Sequence, residues 1–301
     1  MLSAANSRPV EGVLWTFAAG LLFVLVNAGV KYLGPVVPAP EAAFLRYALG
    51  LILLVPALRQ ILRIRLSRGQ WLFFIARGAL HAVGVALWFY AMARIPLADV
   101  TAMNYLSPIY VTIGAALFLG EKLALRRILA VVVALIGALI ILRPGFREIG
   151  AGHYAMLIAA LVFAGSYMLA KHMTDETDPV TVVTMLSVWV TIGLIPMAAP
   201  VWVVPTAWQL LVLFVIAIFA TLGHYVMTLG FRAAPITVTQ PVTFLQLVWA
   251  VSLGAIFFGE PVDPWVVVGG VMIISAISFI TWREAQVKKR QVTPPVPAQK
   301  M

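Results

Sequence analysis

Asn104 and Ser107 lie three residues apart in an apolar stretch, and a shift of 139 residues carries them onto Thr243 and Gln246. Residues three apart share one helical face, so each stretch offers a pair of amide or hydroxyl groups in one direction. Such groups hydrogen-bond a solute without attacking it. Pro108 cannot donate to the carbonyl four residues back, that of Asn104, which leaves the oxygen for another helix or a wet cavity. Hydrogen bonding between neighbouring helices is the other use of the same side chains.

Histidines and aromatics extend the set. His81, Gly84 and Trp88 share one helical face, and Arg77, a turn away, is expected to snorkel toward the cytoplasm. His224 is similarly deep in a later apolar stretch. An imidazole titrates near neutral pH, so each histidine suits pathway lining or proton exchange, with a satisfied core residue as the alternative. Phe163, Ser166 and Tyr167 add aromatic faces and a hydroxyl. Asn27 stands to Lys31 as Tyr167 stands to Lys171; its amide suits a ligand or a bond to the next helix.

The groups that catalysis needs are missing. All eleven Asp and Glu fall in loops or at the ends of apolar runs, whereas carboxylate relays in pumps sit deeper. There is no Gly-rich phosphate loop, no metal-spaced His/Cys/Asp cluster and no nucleophile–base pairing. No cofactor, no metal and no enzymatic activity are expected. Without a single cysteine, disulfide and thiolate chemistry are excluded.

Membrane spans must position these residues. Of 301 residues only 11% are charged, against about 25% in soluble domains, and the mean hydropathy is +1.01. Segments such as 123–142 and 266–282 have the length of a bilayer span, about 20 residues. Breaks at charges, Pro and Gly define ten spans, near 13–33, 40–58, 70–93, 97–119, 123–142, 152–172, 180–199, 207–231, 235–258 and 264–282. The fold class is an all-α membrane protein. The polar N-terminus is expected to carry no removable signal peptide. The tail 284–301 is polar and Pro-rich and is expected to be disordered in the cytoplasm.

Charge sets the orientation. With both termini inside, fifteen Lys and Arg fall on the cytoplasmic side, among them Arg59, Arg63, Arg65 and Arg68; four, Lys31, Arg94, Arg143 and Arg147, fall outside. The net charge of +10 is then a topology signal with attraction to anionic lipid. No folded basic face exists for nucleic acid. The expected partners are the bilayer and a small-molecule solute, with the chain acting as a monomer.

LFLGEK at 117–122 returns as IFFGEP at 256–261, and the same shift of 139 takes Gly84 to Gly223, Pro96 to Pro235, Leu106 to Leu245 and Phe118 to Phe257. Span four therefore corresponds to span nine, and each half holds five spans. Five is odd, so the second half enters the membrane inverted. The units are 1–148 for spans one to five and 149–283 for spans six to ten. Inverted repeats belong to transporters whose site lies near the midplane where the halves meet. The Gly-Glu pair itself is expected to be a helix stop, with Gly ending the helix and Glu left in water.

Two five-span halves, each closing on a span-(L/F)GE-span unit, with Pro opening spans four and nine, resemble the drug/metabolite transporter (DMT) superfamily, EamA type, over nearly the whole chain. The run Met103-Asn104-Tyr105-Leu106-x-Pro108 is similar to that of YddG-type aromatic amino acid exporters. The resemblance implies a central cavity lined by spans one, three, four, six, eight and nine, with spans five and ten peripheral. The expectation is a secondary transporter in a bacterial inner membrane. It would export small amphipathic metabolites, amino acids with broad specificity including aromatic ones, by alternating access. A proton-coupled exporter of drugs or cationic amphiphiles is the nearest rival. A channel, a purely structural bundle and an intramembrane lipid-modifying enzyme are the others.

Overall fold

Ser67 and Gln70 open one long helix with a reciprocal capping box, and Thr206 and Gln209, each 139 residues later, open another in the same way. In both, the hydroxyl accepts the backbone N–H three residues on, and the Gln side chain accepts the cap residue's own N–H. Two of the N–H groups that a helix start leaves unpaired are satisfied at each place. The repeat is thus visible in the local chemistry that starts its third and eighth spans.

The computed structural model describes residues 8–57, 66–118, 125–173, 179–234, 242 and 244–292. Its helices are α1 (Pro9–Leu33), α2 (Ala39–Leu53), α3 (Arg68–Met92), α4 (Leu97–Asn104), α5 (Leu106–Phe118) and α6 (Leu125–Leu142), followed by α7 (Ala151–Met173), α8 (Pro179–Ala198), α9 (Ala207–Ala233), α10 (Leu245–Phe258) and α11 (Pro264–Val292). Seven of them, α1, α3, α6, α7, α8, α9 and α11, are long and apolar enough to cross a bilayer. The expected ten spans are not all met by length: α2 has 15 residues, α10 has 14, and span four is split between α4 and α5. Gly120 and Glu121, one copy of the repeated pair, lie outside the described residues.

The break in span four sits at Tyr105, three residues before the proline. A continuous helix would need the missing N–H of Pro108 for the Asn104 carbonyl, and the ring would clash there. The chain instead ends α4 at Asn104 and restarts, placing Pro108 in the first turn of α5, where no N–H is required. Phe244, the counterpart of Tyr105, likewise lies in a turn immediately before α10. The two rings meet edge-on with centroids 5.5 Å apart, so the turns that precede α5 and α10 touch each other.

The helix partners repeat as well. Helix α1 packs on α9, and α7, its counterpart in the second half, packs on α3. At the α3–α7 contact a Cβ on Gly84 would lie 2.7 Å from Phe163 Cε1. Helices α6 and α11 pack together, with a Cβ on Gly137 meeting the Gly269 carbonyl at 2.7 Å. Small residues bring the backbones close, as expected where lipid gives no hydrophobic drive to association. The far face of α6 exposes Leu129, Ile136 and Leu139, while Ala134, Gly137 and Ala138 are buried. This is the pattern of a lipid-facing peripheral helix.

Several end-of-span residues depart from expectation. Gly259 does end α10 in the left-handed region, φ 63°. Glu260, however, is not left in water. It pairs with Lys31 Nζ at 2.7 Å and accepts the Leu97 N–H at 2.8 Å, while the same ammonium donates to the Ile95 carbonyl at 2.8 Å. Asp99 and Glu41 are near span ends yet buried. Asp99 pairs with Arg147 and His153, and Glu41 accepts the Val203 N–H at 2.9 Å. Arg77 does not snorkel; it is buried and donates to the Val182 carbonyl at 3.3 Å, because α8 closes over it. Helix α11 runs on to Val292, so residues 284–292 are helical and not part of a disordered tail.

Candidate functional site

A cavity of about 270 Å³ lies between the two halves. Its walls follow the repeat. Phe23 and Phe163 are counterparts at a shift of 140, as are Asn27 and Tyr167; His81 and Ala220, Val85 and His224, and Trp88 and Met227 are counterparts at 139. Apart from this phenylalanine pair, positions rather than residue types are repeated, so the two faces of the cavity differ in chemistry although they share one backbone plan.

The halves interlock through their rings. Phe23 of the first half meets the His224 imidazole edge-on at 5.0 Å, and Phe163 of the second half meets the His81 imidazole at 4.9 Å. Each histidine is also held by a hydrogen bond. His224 Nδ1–H donates to the Ala220 carbonyl at 2.7 Å, which assigns the proton to Nδ1 because a carbonyl can only accept. His81 Nδ1 meets Ser166 Oγ at 3.2 Å, and that hydroxyl donates to the Arg77 carbonyl at 3.5 Å, so Nδ1 is again the donor. Both imidazoles are positioned by α3, α7 and α9 backbones.

Of the residues singled out in the sequence, Asn27, His81, Trp88, Asn104, Phe163, Tyr167, His224 and Gln246 line this cavity. Ser107 does not; it is buried elsewhere. The expectation that Asn104 and Ser107 share a face assumed one continuous helix, and the turn at Tyr105 separates them. Pro108 is exposed in α5 and acts by dividing the span. Thr243 lies outside the described residues.

The lining comes from spans one, three, four, six, eight and nine as the resemblance implies, and also from α2, through Arg46 and Tyr47. Arg46 was the residue that sequence reasoning passed over. The sequence places it inside an apolar run, and an ionisable side chain in such a place marks function. The Arg46 guanidinium lies over the Tyr47 ring, 4.0 Å from its centroid. Tyr105 and Thr101 complete the α4 side. The cavity thus holds six aromatic rings, three amides, two imidazoles and one guanidinium, with no carboxylate among the described lining residues. Such a set can bind and release a solute; it has no nucleophile or metal cluster, and no group of metal-ligating residues occurs among the described residues.

The EamA-like transporter family matches the chain twice, over residues 10–143 and 150–282. A riboflavin transporter of Rhizobium johnstonii is 29% identical over 297 residues, 96% of this chain and 97% of its own. The pseudopaline exporter CntI of Pseudomonas aeruginosa is 30% identical over 88% of this chain and 94% of its own. An S-adenosylmethionine uptake transporter of Rickettsia bellii is 26% identical over 87% of this chain and 90% of its own. One solved crystal structure shares the fold with a TM-score of 0.56 at 15% identity, covering 93% of this chain and 99% of that one.

Proposed function

The chain belongs to the EamA-like transporter family, and we propose that it is a secondary transporter of amino acids and similar small metabolites, favouring those with an aromatic or large apolar body. It is a multi-pass membrane transporter of small molecules and not an enzyme. The finer reading has ten spans in two inverted five-span repeats, 1–148 and 149–283, with both termini in the cytoplasm of a bacterium and the chain in its inner membrane as a monomer. Solute reaches the cavity from either side in turn as the halves rock. Relatives named for uptake and for export both occur; in this reading the solute gradient sets the direction.

The observation that carries this reading is the make-up of the cavity, with aromatic faces and amides drawn from both halves. Aromatic rings supply apolar contact and attract an ammonium group. Amides hydrogen-bond a carboxylate without the desolvation cost of a second buried charge. A volume of about 270 Å³ falls just below the usual range of ligand pockets, about 300–1,000 Å³, which suits a single small metabolite over a bulky drug. Apolar contacts separate side chains weakly, since one methylene is worth only about 1–3 kcal/mol; broad specificity follows.

Purified protein in liposomes tests this. Labelled phenylalanine should exchange by counterflow, saturate, and persist without a pH gradient, with other aromatic and apolar amino acids competing. Flux that does not saturate would mean a channel. Exchange confined to cationic amphiphiles would overturn the amino acid assignment, and exchange that requires a pH difference would place proton coupling at His81 or His224.

A further inference from the structure

Arg46 sits near the middle of α2 and lines the cavity. Among the described residues no carboxylate pairs with it; its neighbour is the Tyr47 ring. Its counterpart at a shift of 140 is Leu186, which is buried and apolar. One half therefore contributes a fixed positive charge and the other contributes none. An unpaired guanidinium in a bilayer is expensive to keep, and the described residues lining the cavity offer it aromatic and amide surroundings without a carboxylate.

Resting on the reading of this cavity as a solute site, we propose that Arg46 is its anion-binding group and that the transported solute brings the missing carboxylate. A guanidinium presents a planar fork of donors that matches the two oxygens of one carboxylate. One fork answers one monoanionic group. Asn27, Asn104 and Gln246 supply further donors and acceptors for the rest of a polar head, and the rings of Trp88, Phe163 and Tyr167 face the apolar body. The solute class is then an aryl or alkyl carboxylate, zwitterionic or anionic. A purely cationic solute meets an unpaired like charge with no carboxylate to offset it, so the cavity selects against it.

Four solutes of similar body separate the outcomes: phenylalanine, phenylpyruvate, phenylalaninamide and 2-phenylethylamine. They are compared as competitors of labelled phenylalanine in liposomes, and by thermal shift of the wild-type protein in detergent. Phenylalanine and phenylpyruvate should compete and stabilise. The two cations should do so on the order of 10- to 100-fold less well, as expected for a lost charge-assisted hydrogen bond. Arg46→Gln should remove the preference for carboxylates, and Arg46→Lys should keep part of it. Equal competition by phenylalaninamide overturns the role of Arg46 and leaves the transporter reading in place. Carboxylates that stabilise the protein while no solute crosses the membrane leave Arg46 as the anion site and overturn the transport assignment. If Arg46→Gln does not fold, the wild-type comparison decides alone. No stabilisation by either carboxylate overturns the proposal.

Discussion

Gly84 shows how tightly single residues set this cavity. A Cβ there would lie 2.7 Å from Phe163 Cε1, and Phe163 in turn packs on the His81 imidazole. The added methyl of Gly84→Ala has to push that ring toward the cavity. Overpacking of this kind costs roughly 1–3 kcal/mol, so the variant should fold with a lowered unfolding temperature and lose most counterflow activity. Normal flux would show that Phe163 is not at the solute. A second prediction uses the absence of native cysteine. Cysteines placed at Asn104 and Gln246 should react with small polar thiol reagents, while one at Ser107 should stay inert. Reaction at all three positions would mean that span four is not divided as described.

Two elements are the most exposed to single substitutions. The first is the turn at Tyr105 between α4 and α5. Pro108→Ala restores the N–H that the Asn104 carbonyl lacks, so the two helices should tend to join. The expected result is unchanged or higher thermal stability with reduced transport, because a straight span turns Asn104 and Tyr105 away from the cavity. Full activity would show that the break does not depend on the proline. The second is the loop after α10, where Glu260 binds Lys31 of α1 and the first N–H of α4. Removing one member of a desolvated pair leaves the other uncompensated and costs on the order of 3 kcal/mol. Glu260→Ala should lower the unfolding temperature accordingly. The exchange Lys31→Glu with Glu260→Lys should recover only part, since a lysine cannot accept the Leu97 N–H.

For the whole molecule, the prediction concerns polarity. Arg143 and Arg147 pair with Asp263 and Asp99 at one end of the bundle, and the charge count predicts that this end faces outward. Reporter fusions at Arg147 and after the last helix should therefore report opposite compartments. The same compartment for both would mean an error of one span in the count, and the short α2 and α10 would be the first suspects. The helix partners repeat between the halves, α1 with α9 and α7 with α3.

Much of this was legible in the residues alone. Composition and span length dictate a helical membrane protein because a bilayer leaves backbone groups no partner outside a helix. The shift of 139 exposes the duplication, which the two matches to one family, over residues 10–143 and 150–282, bear out. The polar residues deep in spans are marked by their cost in lipid, and most of them do reach the cavity. What periodicity could not supply was direction. It puts Asn104 and Ser107 on one face, whereas the turn at Tyr105 parts them, because a helix break rotates everything beyond it. It treats Glu260, Asp99 and Glu41 as water-facing ends, whereas neighbouring helices bury them against partners more than forty residues away in sequence. Arg46 is the clearest case. Its position in a span is plain from the sequence, but whether a guanidinium there meets lipid, a buried acid or an open cavity depends on which helices pack around α2, and only the tertiary structure decides that.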